Sequence, residues 1–329
     1  MPAQWMITNR KEHAGELGRD EGPLTFWMTE QAGDWKRLKT LGRWEKLTSA
    51  QFVRELRRMV DADFPELADE RHEQERHVAL FVHGFNNSFE DALKRYLQIH
   101  RSILSGPSLG ACVLFTWPSD GSKAGYYPDR KDARSSADEL ADVLAILYDY
   151  LASRQTVAMR SGLKACKAKT SIIAHSMGGY LVQKAMQSVW TRKNQPLLLS
   201  LVNQLVLVAA DVDNDLFRSG EVVDRSDGDA VANLTYRVTA LYTGLDATLG
   251  LSAGFKHFGK RRLGRSGLDG RYPVPDNVWD VDCTEIFRTA KADDIHSAYF
   301  DVARTRELIV SILRGVNRAV VRREFPEVI

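Results

Sequence analysis

The segment TSIIAHSMGGYLVQKAM, residues 170–186, carries a serine at a predicted junction between a buried strand and a helix. An apolar run ends just before Ser176, and the amphipathic spacing of a helix follows it. Small residues stand two positions before and two positions after the serine, at Ala174 and Gly178, as a sharp strand-to-helix turn requires. Such a turn exposes the hydroxyl beside backbone N–H groups, so Ser176 is predicted to be a nucleophile. The alternative is that Ser176 only caps the helix.

Strand and helix patterns alternate from about residue 77 to the end of the chain. Apolar runs predict buried strands over 77–85, 111–117, 170–175, 204–210, 235–243 and 278–287. Amphipathic segments predict helices over 88–103, around 140–151, over 177–190 and over 301–323. This alternation predicts an α/β fold with a mostly parallel central sheet and helices on both faces.

The first 70 residues have a different pattern. QWMITNR and LTFWMTE predict two short strands, and SAQFVRELRRMV predicts a helix with Ser49 as its cap. These elements are expected to form a leading antiparallel edge of the same sheet, or a small cap. Because no linker separates them from the rest, residues 1–329 are expected to form one domain, with residues 1–70 packed on it.

Composition narrows the classes of function. The 45 basic and 43 acidic residues give a net charge of +2, which makes no case for a nucleic-acid or membrane partner. The cysteines, Cys112, Cys166 and Cys283, are far apart and show no metal or disulfide spacing. The amino-terminal residues lack the apolar core of a signal peptide, and no apolar stretch is long enough to span a bilayer. We therefore expect a cytoplasmic protein with no membrane segment, metal or cofactor, and of undetermined oligomeric state.

Acyl transfer at a serine needs two hydrogen-bond donors for the oxyanion that forms. The backbone N–H of Met177, directly after the serine, is expected to be one of them. The other is expected from the loop after the first predicted parallel strand, at Phe85 or Asn86. The alternative is an ordinary turn in which Asn87 or Ser88 caps the next helix.

A nucleophilic serine also needs a histidine base and a carboxylate, in the chain order serine, acid, histidine for a sheet of this kind. Only His257 and His296 follow Ser176. His296 is favoured because it follows the last predicted strand, whereas His257 lies in a strongly basic stretch. Asp246, after the fifth parallel strand, is the preferred acid, and Asp211, after the fourth, is the reserve.

Several motifs together resemble a bacterial α/β-hydrolase family of unknown function that is related to serine esterases and lipases. They are FVHGFNNSFEDAL, FTWPSDG, IIAHSMGGYLV, LVLVAADVDND and LYTGLDATLGLS, spread over about residues 75 to 300. The resemblance implies an α/β-hydrolase fold with Ser176, Asp246 and His296 as a triad, and it supports Asp246 over Asp211. It implies little about the substrate.

The expected function is therefore a serine hydrolase that cleaves carboxylic esters through a Ser-His-Asp triad and an acyl-enzyme. An acyltransferase or thioesterase with the same triad is one alternative, and a non-catalytic binding scaffold is another. Asn86, Trp117 and Tyr180 are expected to contact the substrate. Phe85, Tyr126 and Tyr127 are considered with Trp117 and Tyr180 for an apolar acyl pocket, and some of these aromatic residues are expected to belong to the core. The basic loop 255–273 is expected to be solvated, with binding of an anionic group as the alternative.

Overall fold

A computed structural model defines the fold and describes residues 3–31, 33–63, 76–106, 109–119, 126–161, 169–193, 200–218, 226–252 and 259–328. Its strands are β1 (Gln4–His13), β2 (Glu16–Thr29), β3 (Glu45–Leu47), β4 (His77–Val82), β5 (Gly110–Thr116), β6 (Lys169–His175), β7 (Val202–Val208), β8 (Thr235–Tyr242) and β9 (Val278–Asp282). The six predicted parallel strands are confirmed, with ends that differ by a few residues.

Within the described residues these strands form a single sheet in the order β3-β2-β1-β5-β4-β6-β7-β8-β9. Strands β1 and β5, and every neighbouring pair from there to β9, run parallel, whereas β2 is antiparallel to both β1 and β3. The predicted mostly parallel sheet with an antiparallel amino-terminal edge is therefore confirmed. The carboxyl ends of β4, β6, β8 and β9 all meet at one edge.

The helices are α1 (Trp35–Leu38), α2 (Ser49–Asp63), α3 (Phe89–Ile99), α4 (Tyr126–Ser161), α5 (Met177–Lys193), α6 (Ser226–Leu234), α7 (Ala247–Leu251), α8 (Leu263–Ser266), α9 (Thr284–Ala290), α10 (Ala303–Leu313) and α11 (Arg318–Glu324). A π-helical segment, His100–Ser105, continues α3, and short 3-10 turns occupy Leu41–Arg43 and Ala298–Phe300.

Both faces of the central sheet are buried, as a parallel sheet requires. Successive residues of β4 belong to different apolar clusters because strand side chains alternate between faces. Leu80 packs in the cluster that contains Leu144 of α4 and Leu181 of α5. Phe81 packs in the cluster that contains Leu308 of α10. Helices therefore cover the two faces and leave the carboxyl edge for loops.

Three predicted element boundaries are wrong, each for a local reason. The last strand ends at Asp282 because its carboxylate accepts the backbone N–H of Thr284, which begins a turn into α9. The closing helix divides into α10 and α11 around Gly315, which has a φ of +70°.

The cap of α2 is also displaced by one residue from the predicted Ser49. The hydroxyl of Thr48 accepts the Gln51 N–H at 3.2 Å, and the Gln51 side chain accepts the Thr48 N–H at 2.8 Å. This reciprocal pair is a capping box, so the cap is Thr48.

Candidate active site

Ser176 lies at a tight turn between β6 and α5. Its φ is +54°, a conformation that is unfavourable for a residue with a side chain. Two glycines make the turn possible. A Cβ on Gly178 would lie 2.5 Å from the carbonyl oxygen of Val82, and a Cβ on Gly84 would lie 2.7 Å from the Cβ of Ser176. The sequence therefore brings the loop after β4 directly against the serine.

The structure brings Ser176, Asp246 and His296 together at the carboxyl edge of the sheet. His296 Nε2 lies 2.8 Å from Ser176 Oγ, and His296 Nδ1 lies 2.7 Å from Asp246 Oδ2. The other carboxylate oxygen of Asp246 accepts the N–H of Leu249 at 2.9 Å and so caps α7. Asp246 is fully buried, whereas Ser176 keeps 6% of its surface exposed. The carboxylate is therefore held rigidly, and Ser176 keeps only a small solvent-accessible surface.

The electrostatics of this arrangement suit a base. Burial lowers the pKa of His296, but the hydrogen bond and charge of Asp246, with the further charges of Asp211 and Asp294, outweigh it and raise that pKa above its ordinary 6.5. Because the carboxylate can only accept, Nδ1 of the neutral ring carries the proton. Nε2 is then free to accept the proton of the Ser176 hydroxyl.

A second histidine, His175, holds the backbone of His296, and the sequence analysis did not predict this role. Its Nε2–H donates to the backbone carbonyl of His296 at 2.9 Å, and the two rings lie 4.9 Å apart. Burial holds the pKa of His175 well below its ordinary value, and the neighbouring His296 lowers it further. His175 is therefore a neutral donor to the loop that carries His296. Its position directly before Ser176 was the available signal.

The reserve acid, Asp211, has other partners. Its Oδ1 accepts Nε of Arg262 at 2.7 Å and the hydroxyl of Ser252 at 3.2 Å. Arg262 is fully buried and also bonds the carbonyl of Asp211 and the carboxylate of Asp213. The geometry thus places Asp246, and not Asp211, against His296. The alternative base His257 lies outside the described residues.

The loop after β4 contains the two backbone N–H groups, of Phe85 and Asn86, that were considered as the second oxyanion donor. The Asn86 N–H donates to Asp129 Oδ2 at 3.2 Å, so it is already engaged in a hydrogen bond within the protein. Phe85 remains the predicted donor of this loop. Met177 begins α5, and its N–H therefore has no acceptor within the helix. The side-chain Oδ1 of Asn86 is buried without a hydrogen-bond partner among the described residues, which suits the predicted substrate contact.

Trp117 and Tyr180 have different surroundings. Trp117 is fully buried, stacks on His83 at 5.2 Å and donates its Nε1–H to the His83 carbonyl at 3.0 Å. It therefore belongs to the core, and its burial argues against the predicted contact with substrate. Tyr180 lies 3.8 Å beneath the Arg130 guanidinium and lines a cavity of about 420 Å³ with Lys184 and other polar residues. The side chains of Tyr126 and Tyr127 lie outside the described part of the chain.

The described basic residues of the loop have two kinds of surroundings, with some buried or half-buried and others exposed. Besides the buried Arg262, Arg265 bonds the backbone carbonyl of Asp246. Arg271 pairs with Asp269 through two nitrogens, and Lys260 Nζ lies 3.2 Å from Asp213 Oδ2. Lys256 lies outside the described residues. Arg262 and Arg265 thus bond the segments that carry Asp211 and Asp246, whereas Lys260, Arg261 and Arg271 are exposed, as expected for a solvated loop.

Two features, a cluster of metal-binding side chains and a membrane-spanning helix, are absent from the residues that the structure describes. No group of three or more His, Cys, Asp or Glu side chains there could hold a metal ion. No helix in the same ranges is sufficiently long and apolar to cross a bilayer.

A family model described as "Alpha/beta hydrolase of unknown function (DUF900)" matches residues 62–272. The chain belongs to this family. The assignment agrees with the expected resemblance, and it supports a hydrolase. An uncharacterised protein from Nostoc sp. is 27% identical to this chain over 147 residues, covering 38% of the present chain and 35% of that relative. The chain thus spans about a third of the length of that relative.

Solved structures similar to this chain include an Aspergillus fumigatus lipase B and a Pyrobaculum calidifontis esterase. The first has a TM-score of 0.39 at 11% identity and covers 78% of this chain and 58% of its own. The second has a TM-score of 0.38 at 13% identity and covers 97% of this chain and 86% of its own. An esterase domain from Rhodothermus marinus has a TM-score of 0.37 at 12% identity, covering 96% and 99% respectively.

Proposed function

We propose that this hydrolase cleaves carboxylic esters, with Ser176 as nucleophile, His296 as base and Asp246 as the carboxylate that orients the base. The observation that carries the proposal is the hydrogen-bonded chain from Asp246 Oδ2 through His296 to Ser176 Oγ, with distances of 2.7 and 2.8 Å. The strained backbone of Ser176 supports it, because strain of this kind persists at functional turns.

The proposed reaction has two halves. Ser176 Oγ attacks the ester carbonyl while His296 Nε2 takes the hydroxyl proton, and Asp246 stabilises the imidazolium. The oxyanion of the tetrahedral intermediate is proposed to accept hydrogen bonds from the N–H groups of Met177 and Phe85. When the intermediate collapses, the leaving alcohol takes the proton from His296 and an acyl-enzyme remains. Water, deprotonated by His296, then attacks the acyl carbon, and the bond to Ser176 Oγ breaks as that oxygen takes the proton back from His296 and the carboxylic acid leaves.

Transfer to an acceptor other than water, or cleavage of a thioester, would use the same three side chains. Competition between water and an added alcohol or amine separates these reactions from simple hydrolysis. A non-catalytic scaffold is the alternative from a different class. The alignment of His296 on Ser176 argues against it, because a scaffold has no need for a polar chain bonded at both ends.

The test uses a fluorophosphonate probe and p-nitrophenyl esters with short and long acyl chains. Wild-type protein should be labelled and should release nitrophenol, and Ser176→Ala should lose both properties. Ser188→Ala is the matched control, because Ser188 is a half-buried serine on α5 whose hydroxyl bonds Asp138. Labelling of Ser176→Ala at the wild-type level, or no turnover of any ester by the wild type, would contradict the proposal.

A further inference from the structure

The side chain of Arg10 is a buried cation in the amino-terminal strand β1. It is 2% exposed, and β1 changes register against β2 on both sides of it, as strands do at bulges that redirect a side chain. Its Nη2 donates to the carbonyl of Asn87 at 2.9 Å, Nη1 to the carbonyl of Gly18 at 3.1 Å, and Nε to Thr116 Oγ1 at 2.9 Å. Arg10 therefore joins the hairpin, the end of β5 and the loop after β4.

Arg10 is also connected to the loop after β4 indirectly, through hydrogen bonds of Thr116 and His83. His83 Nε2 accepts the backbone N–H of Trp117 at 3.2 Å, so the ring proton is on Nδ1, which donates to the carbonyl of Gly84 at 2.9 Å. The Thr116 hydroxyl accepts from Arg10, and it therefore gives its own hydrogen to His83 at 3.0 Å. A continuous series of hydrogen bonds thus runs from Arg10 to Gly84.

A buried carboxylate also holds the loop. Asp129 accepts the N–H of Asn86 at 3.2 Å and the hydroxyl of Ser119 at 2.5 Å, and Ser119 in turn accepts the N–H of Asn87 at 3.2 Å. Burial lowers the pKa of Arg10 to about 9, and the charge of Asp129 acts against that fall, so Arg10 remains a cation at neutral pH. A buried cation and a buried anion therefore each bond the backbone of this loop, at Asn87 and Asn86 respectively.

We propose that Arg10 is a positioning residue that holds residues 83–87 in the geometry from which this loop stabilises the oxyanion. Arg10 contacts neither Ser176 nor His296 in the described structure, and it acts only through Asn87, Thr116 and His83. The inference rests on the proposed function, and it goes beyond it by making the amino-terminal strands part of the catalytic scaffold. Residues 1–61 lie outside the part of the chain that the family model matches.

The test compares Arg10→Met and Arg10→Lys with Asn9→Ala. Asn9 is the matched control because it is the neighbouring buried residue and its side-chain amide donates to Ser136 of α4 at 2.8 Å. Loss of a positioned oxyanion donor lowers kcat by about 10²-fold. We expect that fall in Arg10→Met, with KM within about threefold and with weaker inhibition by a trifluoromethyl ketone, whose adduct carries an oxyanion. Arg10→Lys, which keeps the charge but loses the fork of donors, should be intermediate.

Asn9→Ala should lower the unfolding temperature and leave kcat per folded molecule within about twofold. Hydrogen exchange at the amides of Asn86 and Asn87 provides a second readout that needs no turnover, and Arg10→Met should accelerate it. Wild-type kcat and ketone affinity in folded Arg10→Met or Arg10→Lys would overturn the proposal.

Absence of turnover in the wild type would instead remove the proposed function. The exchange rates would then decide the positioning contact alone: acceleration in either variant supports it, and unchanged rates overturn it.

Discussion

Replacing Asp246 by Asn changes one atom in the hydrogen-bonded chain and leaves its shape. The site is fully buried, so the isosteric amide must occupy the same place. Its oxygen can keep the N–H of Leu249, now 2.9 Å from Oδ1, and Asn is as good a helix cap as Asp. The amide nitrogen then faces His296 Nδ1 at about the present separation of 2.7 Å.

This geometry changes the tautomer of the neutral base, His296. The amide N–H donates to Nδ1, so the proton of neutral His296 moves to Nε2. Nε2 lies 2.8 Å from Ser176 Oγ, and once protonated it cannot accept the hydroxyl proton. A wrong tautomer of this kind lowers kcat by about 10⁴-fold, which corresponds to about 5 kcal/mol of transition-state stabilisation. The free energy of unfolding should fall by only about 1 kcal/mol, because one hydrogen bond is exchanged for a weaker one.

The assay measures kcat and KM for p-nitrophenyl acetate, per molecule shown to be folded by circular dichroism. Asp211→Asn is the matched comparison, because Asp211 bonds Arg262 and Ser252 in place of His296. We expect Asp211→Asn to lose stability and to keep kcat within about tenfold. The assignment of the acid would be refuted if kcat fell by less than tenfold in folded Asp246→Asn, or by more than about tenfold in folded Asp211→Asn.

Two further predictions concern pH and the buried arginine. The neutral form of His296 is the active base and its pKa is raised, so kcat/KM should rise with pH through a value above 6.5; a midpoint below 6.5 in the wild type would contradict the effect of Asp246. Arg262→Met leaves the buried carboxylate of Asp211 without its cation and should cost about 3–5 kcal/mol in urea unfolding. Lys260→Met, at a pair whose lysine is 65% exposed, should cost at most about 1 kcal/mol, and equal losses in the two variants would show that burial of the pair is unimportant.

The order of the strands and helices along the chain follows from local sequence patterns. Apolar runs such as TSIIAH predict buried strands because each side chain of a parallel sheet needs an apolar neighbour on its own face. The turn at Ser176 is also predictable, since Ala174 and Gly178 lie within two positions of it, whereas the close approach of Gly84 depends on the tertiary structure. The preference for His296 as the base also followed from chain order and the loop after the last strand.

The partners of the charged residues were decided only by the tertiary structure. Arg10 and Arg262 stand among other polar residues, and arginine is mostly exposed in proteins, so nothing local indicates that both are buried. Their acceptors lie far away along the chain, with Asn87 separated from Arg10 by 77 positions and Asp211 from Arg262 by 51. Such pairs form because strand order places distant segments side by side, and strand order is a property of the whole sheet.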